Sequence, residues 1–415
     1  MNLTAETLGP AVDRALRETA ITDIHTHIYD PRFGDLLLWG VDELLTYHYV
    51  VAEAFRWLDI PYEDYGRMPR KAQADLVWKT LFLDRSPVSE AARGVLETLA
   101  ALGLDAGGRD LDAVRRWFAG RKPEAHLAEV FRRAGLKDVV MTNDPFDDRE
   151  RPFWASSAPP DPRFHAALRI DPLLLDWASS CGRLKGWGYD VEPSLVPRTV
   201  EEVKRFLRDW AGRMKPLYAG VSLPPTFTMP ESSPCATLIE KALLPVMAEL
   251  GLPFALMIGV KRRTNPALGL AGDSVGRGRI ESVEHLCAAY PHNKFMVTML
   301  SRENQHELCV AARKFRNLLV FGCWWYVNNT SLIRETTRMR FEMLGTSFIP
   351  QHSDARVLEQ VIYKWDVARR LIGGVLREKY ADLLATGWAL DEAAVHRDVA
   401  GLLGGNFWSF LGRRF

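Results

Sequence analysis

The 415-residue chain is short of cysteine, carries almost no net charge and contains no long apolar run. Its five cysteines, Cys181, Cys235, Cys287, Cys309 and Cys323, are scattered, odd in number and without CxxC spacing. That excludes a zinc ribbon and a disulfide frame, and points to reduced thiols. A formal net charge of +1 gives no reason to expect nucleic acid or an acidic membrane surface as a partner. No stretch of about 18 apolar residues is present, as a membrane span requires. The N-terminus lacks the basic-then-apolar pattern of a signal peptide. A soluble, cytoplasmic protein is expected. There is no low-complexity segment and no internal repeat. No glycine-rich turn follows the first apolar run, which counts against a phosphate-binding open sheet.

What the chain does have is apolar bulk, thirteen tryptophans and one conspicuous stretch, Ile21-Thr22-Asp23-Ile24-His25-Thr26-His27-Ile28. An apolar run there ends in His-x-His. Residues i and i+2 of a strand share a face, so both imidazoles leave the strand end in one direction. That suits two nitrogen ligands on one metal ion; the alternative is a surface loop with two histidines.

The rest of the chain alternates. A polar amphipathic helix is predicted over 3–18, capped by Thr4 or Glu6, and helical spacing recurs over 41–57. Several further helical patterns fill 60–135, which reads as an insertion after the first strand. Strands are then predicted at 138–143, 164–170, 217–223, 253–259, 294–300, 318–323 and 346–351, with helical patterns between most of them. With the first strand at about 20–25 this makes eight βα units. The fold class expected is α/β, a closed (β/α)8 TIM-type barrel; a doubly wound open sheet is the alternative. The length suits such a barrel with insertions. The expected divisions are 1–59 (N-terminal helix, strand one and first barrel segment), 60–135 (helical insertion), 136–375 (remainder of the barrel) and 376–415 (C-terminal helices packing outside it).

Reactive groups of such a barrel sit at the C-terminal ends of its strands. Strand one offers His25 and His27, strand two Thr142 to Pro145, and strand three Arg169 and Asp171. Strand four offers Ser222 to Pro225, strand five Met257 and then Lys261 to Arg263, and strand six Ser301-Arg302. Strand seven offers Trp324-Trp325 and Asn328-Asn329, and strand eight His352 to Arg356. Strand eight neighbours strand one in a closed barrel, so Asp354 can join His25 and His27 on a metal and leave positions open for water or substrate. Its alternative role is capping a helix that starts near Val357. His352, two residues earlier, is a further ligand, a supporting group, a general acid or a structural histidine. Arg169, Arg262 and Arg356 converge from three strand ends, and guanidinium forks bind carboxylates. Trp324 and Trp325 either face a sugar or pack in the core. His48 or Tyr49 is a candidate proton carrier, against an aromatic cluster on a helix face.

These residues together resemble the uronate (glucuronate) isomerase family, a divergent branch of the amidohydrolase superfamily. The resemblance rests on Asp23 to His27, His48-Tyr49, Thr142 to Pro145, Leu168 to Asp171, Ile258 to Arg262, Gly322 to Trp325, Ser353 to Arg356, and Trp365-Asp366 through Arg369-Arg370, in order across about residues 20–375. It implies a barrel of the amidohydrolase kind with a helical insertion after strand one. It implies one divalent ion on His25, His27 and Asp354, with zinc first and manganese or iron as alternatives. The implied reaction is aldose uronate to 2-ketose uronate in the open-chain form, for example D-glucuronate to D-fructuronate, through an enediolate. The implied partner is a small anionic sugar whose carboxylate meets arginine and histidine, and a homo-oligomer is expected. Candidate catalytic residues are Asp354, His48 and Tyr49. Candidate substrate-binding residues are Arg169, Arg262, Trp324, Trp325, Arg356 and His352.

The chain departs from the family in two places. Leu223-Pro224 stands where the family has Asp-His after strand four, and Met257 where it has a histidine on strand five. A thioether cannot carry a proton. The family's arginine soon after His48-Tyr49 is also missing at that spacing, Arg56 being nearest. The alternatives are a metal-dependent hydrolase, epimerase or decarboxylase of a related sugar acid, or a non-catalytic sugar-acid binder. Superfamily hydrolases need histidines after strands five and six, where this chain has Met257 and Met299-Leu300.

Overall fold

The short apolar runs form one parallel sheet whose strands are buried along almost their whole length, as strands covered on both faces must be. The structure, a computed structural model, describes residues 2–155 and 160–415. The strands are β1 (Ile21–Thr26), β2 (Leu136–Asn143), β3 (Phe164–Arg169), β4 (Ala219–Leu223), β5 (Phe254–Ile258), the two-residue β6 (Val260–Lys261) and β7 (Ser274–Val275), β8 (Phe295–Met299) and β9 (Leu318–Val320). Seven of them pair in parallel in the order β1-β2-β3-β4-β5-β8-β9, while β6 and β7 form a small antiparallel ribbon beyond β5. The resulting α/β fold carries a curled sheet with helices between successive strands.

The strand predicted at 346–351 is not one. Only Ile349 bridges Phe321, through Gly322 N–H to Ile349 O (2.8 Å) and Ile349 N–H to Val320 O (3.0 Å). Pro350 then has no N–H to give, and Asp354 takes a positive φ of 50°, so a regular ladder cannot continue. The segment instead turns to the other edge of the sheet. Asp354 N–H donates to His25 O (3.1 Å), and His27 N–H to Ala355 O (2.7 Å). Residues 349–355 thus hold backbone bonds to the first and last strands together.

The helix predicted over 41–57 is broken. Two short helices, Val41–Leu45 and His48–Ala54, flank an extended Tyr47 (φ −62°, ψ 137°). The Tyr47 ring is buried against the His48 ring, 4.2 Å between centroids. That packing outweighs helix continuity, and it makes His48 the first residue of a new helix. The expected N-terminal helix spans Ala5–Glu18 with Thr4 as its cap. Helices alone, without strands, connect His48–Ala54 to β2.

Two contacts seat the sheet. At the N-terminal ends of the strands, the helix Asn406–Gly412 packs under the interior rather than outside it. Phe407 meets Tyr218 (6.3 Å between rings), and Trp408 Nε1 donates to Thr22 Oγ1 (3.1 Å). At the other end a fully buried pair, His126 Nε2 and Glu359 Oε1 at 2.7 Å, ties the helix Pro123–Ala134 to the approach of the long helix Gln360–Ala385. The same carboxylate accepts Gly40 N–H at 3.1 and 3.2 Å. All five cysteines are free. Among the described residues no helix is long and apolar enough to cross a membrane.

The buried pair gives the first prediction. Glu359→Ala leaves His126 and the Gly40 amide without a partner, at a cost of about 3 kcal/mol or more. A lowered urea midpoint is expected; an unchanged midpoint would show that the pair does not tie the helical segment down.

Candidate functional site

Strand alternation and two hydroxyl groups decide how the histidines point. His25, the penultimate residue of β1, places Nδ1 at 3.1 Å from Tyr218 Oη, and that phenol gives its own proton to Ile24 O (2.9 Å). His27, just beyond the strand, places Nδ1 at 3.0 Å from Thr142 Oγ1, whose proton goes to Thr26 O (2.6 Å). Each hydroxyl has spent its single proton, so each must accept, and the network assigns the ring proton to Nδ1 in both histidines. Their Nε2 lone pairs therefore face inward, to Asp354 Oδ1, at 3.5 Å from His25 and 3.3 Å from His27. Burial, and then the charge of Arg356, keep His27 well below the usual histidine range and so neutral.

Three acceptors thus converge with no hydrogen between them. Ligand atoms of His25, His27 and Asp354 lie within 4.8 Å of one another. A cation resolves such an arrangement, and two imidazoles with one carboxylate form a fitting donor set for a divalent ion with open positions. Asp354 does not cap a helix; the long helix starts at Gln360, with Glu359 as its cap.

His25, His27, His48, Arg169, Arg262, Trp324, Trp325, Asp354 and Arg356 line one inner cavity of about 20 Å³, together with Ser222. Four of them, His27, Arg169, Arg262 and Arg356, also line an open outer cavity of about 930 Å³. The three arginines differ. Arg169 is clamped by Asp171, Nε to Oδ2 and Nη2 to Oδ1 at 2.9 Å each, and also reaches Ser222 Oγ. Arg262 gives Nη1 to Asp273 Oδ2 at 2.6 Å. The Arg356 guanidinium has no hydrogen bond or ion pair among the described residues, and is the open fork at the site.

Two sequence candidates stand behind this wall. Tyr49 stacks near Trp325 and Tyr326, 6.3 Å from each ring, and does not line the inner cavity. His352 is buried with its ring 5.0 Å from His25 and 5.5 Å from Phe321; neither ring nitrogen has a partner among the described residues. Gly322, at φ 67°, makes room for it, since a Cβ there would sit 1.8 Å from His352 Cδ2. His48 does line the cavity. Burial, reinforced by Arg356, brings its imidazole down to about 3, so it is a neutral base at any ordinary pH. Trp325 takes φ 45°, and its buried Nε1 has no partner among the described residues. The strained backbone and the unmet donor thus sit together at the wall of the inner cavity. Met257 lies buried in the apolar interior, so β5 offers no ligand and no proton carrier. Sequence reasoning missed Tyr218 altogether, because it sits in the apolar run Leu217-Tyr218-Ala219 with nothing to mark it.

The chain superposes on uronate isomerase from Bacillus halodurans C-125 with a TM-score of 0.98 and 55% identity, over 100% of this chain and 98% of that one. Uronate isomerase from Thermotoga maritima gives 0.78 and 14%, covering 99% of this chain and 100% of that chain. Glucuronate isomerase from Caulobacter crescentus gives 0.77 and 14%, covering 99% and 95%. At 14% identity these last two speak for the fold alone. No family model matches the chain, and no curated protein does.

The hydroxyl-imidazole bonds make a prediction without touching a ligand. Tyr218→Phe frees the His25 ring from its tautomer and weakens divalent-ion affinity about 10- to 100-fold, read by competition with a chelating dye. His25→Ala abolishes stoichiometric binding in the same assay. Equal affinity in the Phe variant and the native chain would refute the tautomer assignment.

Proposed function

The chain belongs to the uronate isomerase family, and from that premise we propose that it interconverts an open-chain aldose hexuronate and its 2-ketose, with D-glucuronate to D-fructuronate the first pair to test. The family is one of aldose–ketose isomerases, and the 55% identity extends over the full chain. We read the seven parallel strands and the doubly bonded segment 349–355 as a closed (β/α)8 barrel of the amidohydrolase kind, with the site at the C-terminal ends of its strands.

His25, His27 and Asp354 would hold the divalent ion; imidazole and carboxylate suit zinc, with manganese or iron as alternatives. Such an ion supplies Lewis-acid polarisation of the C1 and C2 oxygens. The remaining work falls to side chains. Arg356 meets the substrate carboxylate with its open fork. Arg169 and Arg262, already held by Asp171 and Asp273, shape the wall and its field rather than supply a free charge. Trp325 Nε1 gives its unmet proton to a substrate oxygen.

Isomerisation takes a proton from C2 and returns one to C1, while a hydroxyl proton passes from O2 to O1. We assign the carbon-proton transfer to His48, the neutral imidazole on the cavity wall. Its basicity rises when substrate arrives, because a carboxylate on Arg356 cancels the charge that, after burial, holds it down. The single observation that carries the assignment is a neutral imidazole and an unpaired guanidinium sharing one cavity with the metal-ligand triad. Hydrolase chemistry is disfavoured by Met257 on β5 and by Met299-Leu300 at the end of β8, where no histidine is available.

In D₂O with added metal, NMR should show conversion of D-glucuronate or D-galacturonate with deuterium entering at the reacting carbon; inert acids across a uronate panel would remove the reading. Arg356→Met should raise KM for a uronate about tenfold to a hundredfold, the worth of a charged hydrogen-bonded pair, and leave binding of neutral aldoses nearly unchanged. A similar loss on neutral sugars would argue against carboxylate recognition.

A further inference from the structure

The outer cavity is far larger than the inner one, and most of its charged groups are already paired. Asp171 has both oxygens on Arg169. Glu150 takes Tyr29 Oη (2.6 Å), Asn143 Nδ2 (3.0 Å) and Asp144 N–H (3.2 Å). Asp273 serves Arg262 and the Arg263 amide, and Asp147 serves Arg149. Asp176, at the exposed rim, caps a helix.

Asp144 is different. It follows β2 directly and lines the same cavity as His27, Arg169 and Arg356. Its Oδ1 accepts Phe146 N–H at 2.8 Å, and the ring of Pro145 stiffens the turn between them. Its Oδ2 has no partner among the described residues. One oxygen is therefore fixed, which aims the other.

We propose that Asp144 is a specificity-determining residue, its Oδ2 exchanging a hydrogen bond with a hydroxyl in the middle of the open-chain substrate. The proposal rests on the isomerase reading: with C1 and C2 at the metal-ligand triad, the C3 to C5 hydroxyls are what remains for the outer cavity to read. The environment supports it. Burial brings the carboxyl up to about 7; the carboxylates of Asp171 and Glu150 add to the rise, and the Phe146 amide and Arg169 oppose it. On the same wall Tyr29 stays protonated on Glu150, whose own carboxyl burial raises and the bonds from Tyr29 and Asn143 hold back. Near neutral pH Asp144 can thus donate as well as accept, and it does not repel an anionic substrate until it ionises.

The metal-loaded enzyme is assayed with D-glucuronate, its C4 epimer D-galacturonate and its C5 epimer L-iduronate. In the native chain KM should rise as pH passes about 7 and Asp144 becomes charged. Asp144→Asn, which mimics the neutral acid, should flatten that rise. Asp144→Ala should change the kcat/KM ratio between at least one epimer pair about tenfold or more, mainly through KM, because a site built to bond a hydroxyl discriminates strongly. Circular dichroism and metal content check that both variants fold. An Asn variant with the native pH profile, or an Ala variant that loses the same factor on every epimer, overturns the proposal. If the native enzyme converts none of the three, the isomerase reading falls, and calorimetric binding of the same acids decides on Asp144 alone. Selective loss of affinity in the Ala variant then supports it; uniform loss, no loss, or no binding to the native chain overturns it.

Discussion

One buried carboxylate holds the catalytic end of this molecule together. Asp23, in the middle of β1, accepts Ser353 N–H at 3.0 Å on one oxygen and Trp365 Nε1 at 2.8 Å on the other. The first bond docks the segment that carries Asp354 against the strand that carries His25 and His27. The second docks the long helix behind it. Burial raises the Asp23 carboxyl, and these bonds oppose the rise. A buried carboxylate is costly unless its bonds are made. The cost therefore acts as a lock: residues 353–355 have one position in which Asp23 is satisfied, and in that position Asp354 faces two imidazole lone pairs.

The histidines and Asp354 were legible because a period of two is general to strands and because a barrel reading sets the segment after strand seven beside strand one. His25 and His27 followed from the first; Asp354 followed from the second. The charge balance among the arginines was less legible. The Arg169–Asp171 clamp spans two residues and was open to view in the sequence. Asp273 reaches Arg262 only because the β6–β7 ribbon folds back, and no local pattern announces that. The position of His48 depends on a helix break that helical spacing argues against, and the break comes from ring packing at Tyr47. Tyr49 and His352 were chosen for their chemistry, yet that chemistry lies behind Trp325 in one case and behind His25 in the other. Tyr218 is a strand residue by every local sign, and its role exists only through its contact with His25. The C-terminal helix shows the same limit, since amphipathicity says that a helix packs, not which end of the sheet it closes.

Two departures from the family pattern acquire a physical meaning. With Leu223 and Met257 both buried and apolar, the side of the inner cavity under β4 and β5 has no proton carrier. The charged and proton-carrying groups come instead from His48, Asp354, Arg356 and Arg169, with Arg262, beyond β5, held by Asp273. Ser222, one residue before Leu223, survives as a polar contact by serving Arg169 and, through its amide, Asp171. A site arranged in this way keeps its proton carriers away from β4 and β5. The reacting carbons must then present a single side to the proteins's acid–base group, which is what a proton shuttle between neighbouring carbons requires.

Gly322 has a consequence for how this chain can evolve. A Cβ at this position would overlap the His352 ring, so no other residue fits beside it. Neither residue lines the inner or the outer cavity, so mutational surveys of the cavity walls would pass over both. Yet they form a linked pair: a side chain can enter at 322 only in a background where 352 has already become small, and an altered 352 removes the selection that keeps 322 bare. Lineages of this fold should therefore change 352 first and 322 only afterwards, and a single substitution at 322 beside the native His352 samples a dead end.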